Sequence, residues 1–464
     1  MSNKLSRRDF LRWSAAATAA TIVAGCTTPS PTAAPKPGAT QPAVATQPPA
    51  AKPVTLDFLG WGDNTDIPAW DKLKAAFTAK YPNYTINVTT VADPGANHYP
   101  KIQTMIAGGT PPDIASYQGW EWQVFAEKNL LAPLDDYIAK DKFTAPYPTG
   151  IRSIEETTAF KGKKYLVPLQ IATMLMFYAR KPFQDAGLPF PTDNWTFEEF
   201  IDICKKLTKT TGEKKIWGIQ ANGIYVRDIH WIRGTGKREY DTLIYPKKAT
   251  FNQKEIVDIV QIMANDVYNT LKIAPTPADL SGGANTINTG NCAMKYEGAW
   301  YFTQLNTPDL RAQNKQVEFD VVLMPKQQDP NRPHRGWAEG VCVVKTPKTD
   351  DAWKFVHYMG GEGNKTYSET TGRIPNDLAL VESWWVPMIA ERFQVKNGKA
   401  FIEAIKRSEV DVVGAVTRTK ITNEVVKPVA WDVLVAGKGT AAELLPKVDA
   451  GVQKLLDEYW ATVK

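Results

Sequence analysis

From Val54 onward the apolar residues switch repeatedly between a period of two and the helical period, and this alternation limits the chain to layered α/β folds. Val54, Leu56 and Phe58 alternate with Thr55 and Asp57, the pattern of a half-buried strand. Trp70, Leu73, Phe77 and Tyr81 then recur at helical spacing after Pro68, and Tyr84, Ile86 and Val88 alternate again. A helix is expected from His98 to the stop at Gly108-Gly109, and a strand enters through Pro111-Pro112-Asp113-Ile114. Leu166–Tyr178 reads as a long apolar strand, and 317–325 and 340–345 as shorter ones. Thr196 with Glu199, Asn252 with Glu255, and Thr440 with Glu443 are capping-box pairs that should open three helices. About 410 residues exceed one ordinary core, so two domains are expected.

The first residues are an address. Ser6-Arg7-Arg8-Asp9-Phe10-Leu11 is a twin-arginine pattern, and an apolar run from Trp13 to Ala24 follows. That run is too short to span a bilayer stably and reads as the core of a signal peptide, 1–25. It ends at Val23-Ala24-Gly25-Cys26, the pattern of a bacterial lipobox, so Cys26 is the expected lipidation site and new N-terminus. Residues 27–53 hold eight Pro, seven Ala and five Thr without an acid or an aromatic, and read with Cys26 as a tether over 26–53. Stretched as polyproline II, the tether would reach roughly 80 Å from the lipid. The expected location is extracytoplasmic, on a lipid anchor.

Charge and chemistry exclude several classes. The leader carries Lys4, Arg7, Arg8 and Arg12 against Asp9, so half of the formal +6 leaves with it and nucleic acid is not an expected partner. Cys204, Cys292 and Cys342 are too few for a disulfide framework. Cys204 falls on an apolar helical stripe, while Cys292 and Cys342 are expected as buried thiols on separate strands, a pair between them being the alternative. His98, His230, His334 and His357 share no metal spacing, so no metal and no cofactor is expected. Neither a nucleophile elbow nor a full phosphate loop occurs, and Gly361–Thr366 lacks the Gly-Lys pair. An enzyme would have to work through Glu121, Glu297 and Glu339, because two carboxylates roughly 5–10 Å apart can hydrolyse a glycoside. No catalysis is the expectation.

Five stretches, in order, resemble the family-1 extracellular solute-binding proteins, the relatives of maltose-binding protein. They are 102–114 (IQTMIAGGTPPDI), 165–168 (YLVP), 288–300 (NTGNCAMKYEGAW), 322–325 (VLMP) and 371–375 (TGRIP). The resemblance implies a two-lobed, type II periplasmic-binding-protein-like fold: two α/β domains joined by a three-segment hinge, with the ligand in the cleft between them. One lobe would hold 54–170 plus 319–349 and the other 171–318 plus 350–464. It also implies a monomeric substrate-binding subunit of an ABC importer that delivers a carbohydrate to a membrane permease. A non-sugar polar solute, or a sensor that presents its solute to a membrane kinase, are the alternatives, and a glycoside hydrolase comes last.

The composition supports a sugar. Trp, at 15, nearly equals Phe and Tyr at 17 each, and an aromatic ring stacks on the apolar C–H face of a pyranose. Trp61, Asp63 and Asn64 follow the first strand. Register with maltose-binding protein puts Asp63 and Asn64 on two sugar-binding positions, the second of which is there a lysine. The same register puts Tyr117 and Trp300 on stacking positions, and Trp120 and Glu121 where an aspartate–arginine pair stands. Glu297 precedes Trp300 by three residues. Gln170 lies near the first crossing, Tyr225 and Trp231 flank His230 in an expected aromatic loop, and Trp337 and Glu339 lie in an expected 336–340 loop. Arg373 reads as an anchor for the loop before Pro375. The weak basic character of these loops argues against a phosphate ligand.

Overall fold

The first alternation forms strand β1 (Val54–Trp61), and the helical run after it forms α1 (Asp66–Lys80). Strand β2 (Tyr84–Val91), helix α2 (Tyr99–Ala107) and strand β3 (Ile114–Gln118) complete this first stretch. The computed structural model describes residues 52–463, apart from 63–64, 92–96, 212–213, 222 and 415. The leader, Cys26 and the tether up to residue 51, and Asp63 and Asn64, lie outside the described residues.

Strand β4 (Leu166–Ala179) is buried along its whole length. Helix α3 (Phe197–Leu207) opens on the Thr196/Glu199 capping box, and strands β5 (Lys209–Thr211) and β6 (Lys214–Gln220) follow. Residues expected as an aromatic loop form helix α4 (Tyr225–Gly234). Helix α5 (Lys254–Gln261) starts from Gln253 without a side-chain cap, so the Asn252 capping box does not form. Asp449 of the last helix takes the backbone N–H groups of Phe251 and Asn252 instead, at 2.5 and 3.2 Å. Strand β7 (Cys292–Gly298) precedes β8 (Phe319–Val322), which is shorter than expected. The β8 ladder ends at Leu323 because its N–H turns to Asp193, at 2.9 Å.

Strand β9 (His334–Val343) begins six residues before Gly340, and Trp337 and Glu339 therefore stand in a strand and not in a loop. The physical reason is pairing on both sides, with Gln170–Thr173 and Gln118 among the partners. Helices α6 (Thr349–Gly360) and α7 (Asn364–Thr371), strand β10 (Ser408–Glu409), the short helix α8 (Arg418–Ile421) and the final helix α9 (Ala441–Trp460) complete the set used below. Helix α8 runs on as a π-helix, Thr422–Trp431, and α9 opens on the Thr440/Glu443 capping box.

Among the described residues ten strands join in one sheet, in the order β2-β1-β3-β9-β4-β7-β6-β5, with β8 on β4 and β10 on β9. Strand β4 links its halves: Leu166–Thr173 pair with β9, and Met174–Tyr178 with β7. Because strand side chains alternate between faces, β4 feeds two cores. Leu169, Ile171, Leu175 and Phe177 enter one, and Ala172, Met174, Met176 and Tyr178 the other. Cys204, Cys292 and Cys342 are buried free thiols.

Helices α6 and α7 pack on the first strand and helix. Phe355 of α6 meets Phe58 at 6.3 Å and Phe77 at 4.8 Å, and Tyr367 of α7 stacks on Trp70 at 5.3 Å. The apolar faces of α6 and α7 thus pack on β1 and α1. Residues 319–322 pair with 176–179 of β4, on the edge opposite β7.

Candidate functional site

A cavity of about 540 Å³ opens where the ends of β1, β3 and β7 approach β9, the start of α4 and the 418–427 helix. That size falls in the range of about 300–1,000 Å³ usual for small-molecule sites. Arg335, Trp337 and Glu339 of β9 all line it, because residues two apart on a strand share a face. Trp61, Asp66, Gln118, Gln170, Tyr225, Arg227, Trp300, Arg373, Arg418, Thr419 and Lys427 also contribute.

Trp300 sits in the turn after β7, half-buried, with its indole N–H donated to Glu297 at 3.0 Å. Its ring lies 6.0 Å from that of Trp337. A Cβ on Gly298 would run into the Trp300 ring, so only glycine lets the tryptophan fold back there. Glu297 accepts from Arg227 at 2.7 Å and faces the Lys295 ammonium at 3.3 Å. Burial alone would raise the Glu297 carboxyl, but the two cations outweigh it and hold it below the usual range.

Behind Trp337 the wall is built from guanidinium groups and rings. Arg335 lies 4.4 Å over Trp337, Trp120 meets Trp337 at 5.0 Å, and Arg418 lies 4.0 Å over Trp120. Asp411 accepts from Arg335 at 2.6 and 2.7 Å and from Arg418 at 2.6 Å. Burial would raise Asp411, yet these arginines bring it down to about 2. On the other side Arg373 pairs with Asp66 at the start of α1, with one contact at 3.0 Å, and Tyr367 donates to the same carboxylate at 3.2 Å. Trp337 donates its indole N–H to Glu339 at 3.2 Å.

Of the site residues expected from sequence, Trp61, Gln170, Tyr225, Trp300, Trp337 and Glu339 line this one cavity. Glu297 stands behind it, under Trp300 and Arg227. Trp120 is fully buried between Trp337 and Arg418. Glu121 reaches across to α8, where it accepts from the backbone N–H of Thr419 at 3.2 Å and from the Thr419 hydroxyl. Its burial pushes its carboxyl up to about 7. Tyr117 is in the wrong phase: it stacks on Tyr99 at 6.0 Å inside the first core, while its neighbour Gln118 takes the opposite face and lines the cavity. Trp231 stacks on Phe200 at 5.1 Å in the second core, because α4 turns that position away.

Sequence reasoning missed Asp66, Gln118, Arg227, Arg335, Arg418, Thr419 and Lys427. Arg335 had a signal, the R-x-W-x-E alternation of 335–339, hidden by reading that stretch as a loop. The weakly basic character expected of the site is also overturned, since four arginines and one lysine converge on it.

Residues 61–366 match the bacterial extracellular solute-binding protein family, well over half of the chain. The chain belongs to that family. Residues 4–24 match the twin-arginine translocation signal, so this solute-binding protein is exported. A Brucella abortus (strain 2308) protein whose name states binding but no ligand is 29% identical over 63% of this chain and 68% of its own length. The maltotriose-binding protein of Pyrococcus abyssi is 22% identical over 62% of this chain and 57% of its own. Among solved structures, an ABC substrate-binding protein of Listeria monocytogenes in complex with cycloalternan superposes with a TM-score of 0.76 at 22% identity, covering 88% of this chain and all (100%) of that one. The maltose-bound MalE3 of T. maritima gives 0.74 at 16% identity, over 87% of this chain and 100% of its own. The two-lobed α/β fold is that of these binding proteins.

Proposed function

We propose that this protein captures a carbohydrate in the cavity and delivers it to the membrane permease of an ABC importer. The observation that carries the reading is the lining itself: Trp61, Trp300 and Trp337 meet in one cavity with the paired polar groups Asp66–Arg373 and Arg335–Asp411 at or behind its wall. Rings offer platforms to C–H faces, and fixed guanidinium and carboxylate groups offer hydroxyls their donors and acceptors. Relatives named for maltotriose and lactose binding support the same reading. The lipid anchor at Cys26 and a monomeric state belong to the proposal. So does the lobe division, with 349–371 joined to the first lobe and 319–322 to the second.

The protein acts as a binder and not as a hydrolase. A glycosidase needs one carboxyl able to give a proton. Of the three glutamates, Glu297 is held ionised by Arg227 and Lys295 and Glu121 points at Thr419, which leaves Glu339, bonded to Trp337, without a second glutamate of the three in the cavity lining. A thermal-shift screen of the exported domain against mono- and oligosaccharides tests the proposal, because a bound ligand raises the melting point by mass action. A screen in which no saccharide shifts the transition, while an amino acid or a polyamine does, would overturn it.

A further inference from the structure

The cavity lining is unbalanced in charge. Five cationic side chains line it against two carboxylates, Asp66 and Glu339; Arg373 is paired with Asp66 and Lys427 with Asp432, which leaves Arg227, Arg335 and Arg418 to the groups behind the wall. The imbalance is concentrated in one row. Arg227 and Arg335 both reach the sulfur of Met174, at 3.5 and 3.2 Å, and Arg335 shares Asp411 with Arg418. Lys295 shares Glu297 with Arg227. Along this row four cations therefore answer to two carboxylates. Of the neighbouring acids, Glu239 and Glu409 are committed to Arg233 and Arg238, while Glu121, bonded to Thr419, also offsets part of the Arg418 charge.

Arg418 is the end of the row. Among the described residues its hydrogen bond runs from Nη1 to Asp411, and its Nε is buried without a partner. Arg418 also lines the cavity, and a guanidinium there can donate to a ligand carboxylate. Burying a cation without its full counter-charge is costly, and that cost falls when an anion arrives.

We propose that the saccharide bound here is acidic, carrying a carboxylate that docks on the guanidinium row at Arg418. The inference rests on the carbohydrate reading above and narrows it. Burial lowers the Arg418 guanidinium and the Arg335 charge adds to that, while Asp411 and Glu121 oppose it only in part, so a ligand carboxylate would oppose it further. A dianionic phosphate would bring a denser charge into a cavity that also exposes Glu339, so a single carboxylate is the better match.

The test is titration calorimetry with matched pairs of di- and trisaccharides in the gluco, galacto and manno series. Members of a pair differ only in a carboxylate or a hydroxymethyl group at C6, and the corresponding 6-phosphates form a third arm. The acidic member of at least one pair should bind about tenfold tighter than its neutral partner, the scale of one charge-assisted contact. Arg418→Gln should abolish that preference, the acidic member losing more affinity than its neutral partner. Should that variant misfold, Arg227→Gln, a partly exposed position, should reduce the same preference. Neutral members binding as tightly as acidic ones, or 6-phosphates binding tightest, would overturn the inference and leave the carbohydrate reading standing. No binding in any series would overturn both.

Discussion

Trp300 and Glu297 are joined by an indole N–H hydrogen bond of 3.0 Å across the end of strand β7, so one carboxylate fixes a candidate stacking ring and a cavity-lining arginine together. Replacing Trp300 with Ala should weaken sugar binding by about 2 kcal/mol or more, as for a buried aromatic anchor. Glu297→Ala should also weaken binding, with the ring still present but no longer held. Calorimetric dissociation constants for both variants check this, and two unchanged values would remove the pair from the site.

Neighbouring residues 117 and 118 should behave as opposites. Gln118→Ala should raise the dissociation constant, whereas Tyr117→Phe should leave it unchanged. The Tyr117 hydroxyl is buried without a partner, so its loss should cost little stability or add some. Binding titrations beside urea denaturation curves read both effects. A weakened Tyr117→Phe would mean that β3 presents its other face.

Asp411 holds two buried arginines at once, and removing its charge leaves both without it. Asp411→Ala should lower the unfolding free energy by about 3–5 kcal/mol, the usual range for breaking a buried ion pair. Denaturant unfolding of the exported domain measures it. A loss below about 1 kcal/mol would show that the network of Arg233, Arg238 and Glu409 absorbs the change.

Asp228 predicts a pH dependence. It is buried in α4, accepts from Trp431 at 2.7 Å, and burial raises its carboxyl to about 7. The folded state then binds a proton that the unfolded state has released, so this group's stabilisation is complete near pH 4 and is lost as pH rises to about 7. Asp228→Asn keeps an acceptor for Trp431 and removes the titration. Relative to the wild type, it should gain stability by up to about 4 kcal/mol between pH 4 and pH 7.5. Parallel slopes for the two proteins in urea melts across that interval would contradict it.

Much of the element order was legible because it is local. Period-two runs became β1 and β2, the long apolar run became β4, and the Thr196 and Thr440 capping boxes formed because both partners lie within one helical turn. The Asn252 box had the same local signal and failed, because Asp449, almost two hundred residues away, holds that backbone. Strand β9 was half hidden, since Gly336 and Gly340 resemble a loop until β3 and β4 pair on either side.

The sequence by itself determined an exported, tryptophan-rich α/β chain with solute-binding motifs in order, because each of those signals is carried by residues close together along the chain. Only the tertiary structure decided which side chains share a cavity. Tyr117 and Gln118 differ by a single step of strand phase, and that phase is set by pairing with β9. Arg335 and Arg418 meet at Asp411 because separate elements converge there. No local pattern encodes such a meeting, since it depends on where the sheet and the 418–431 helix come to rest against each other.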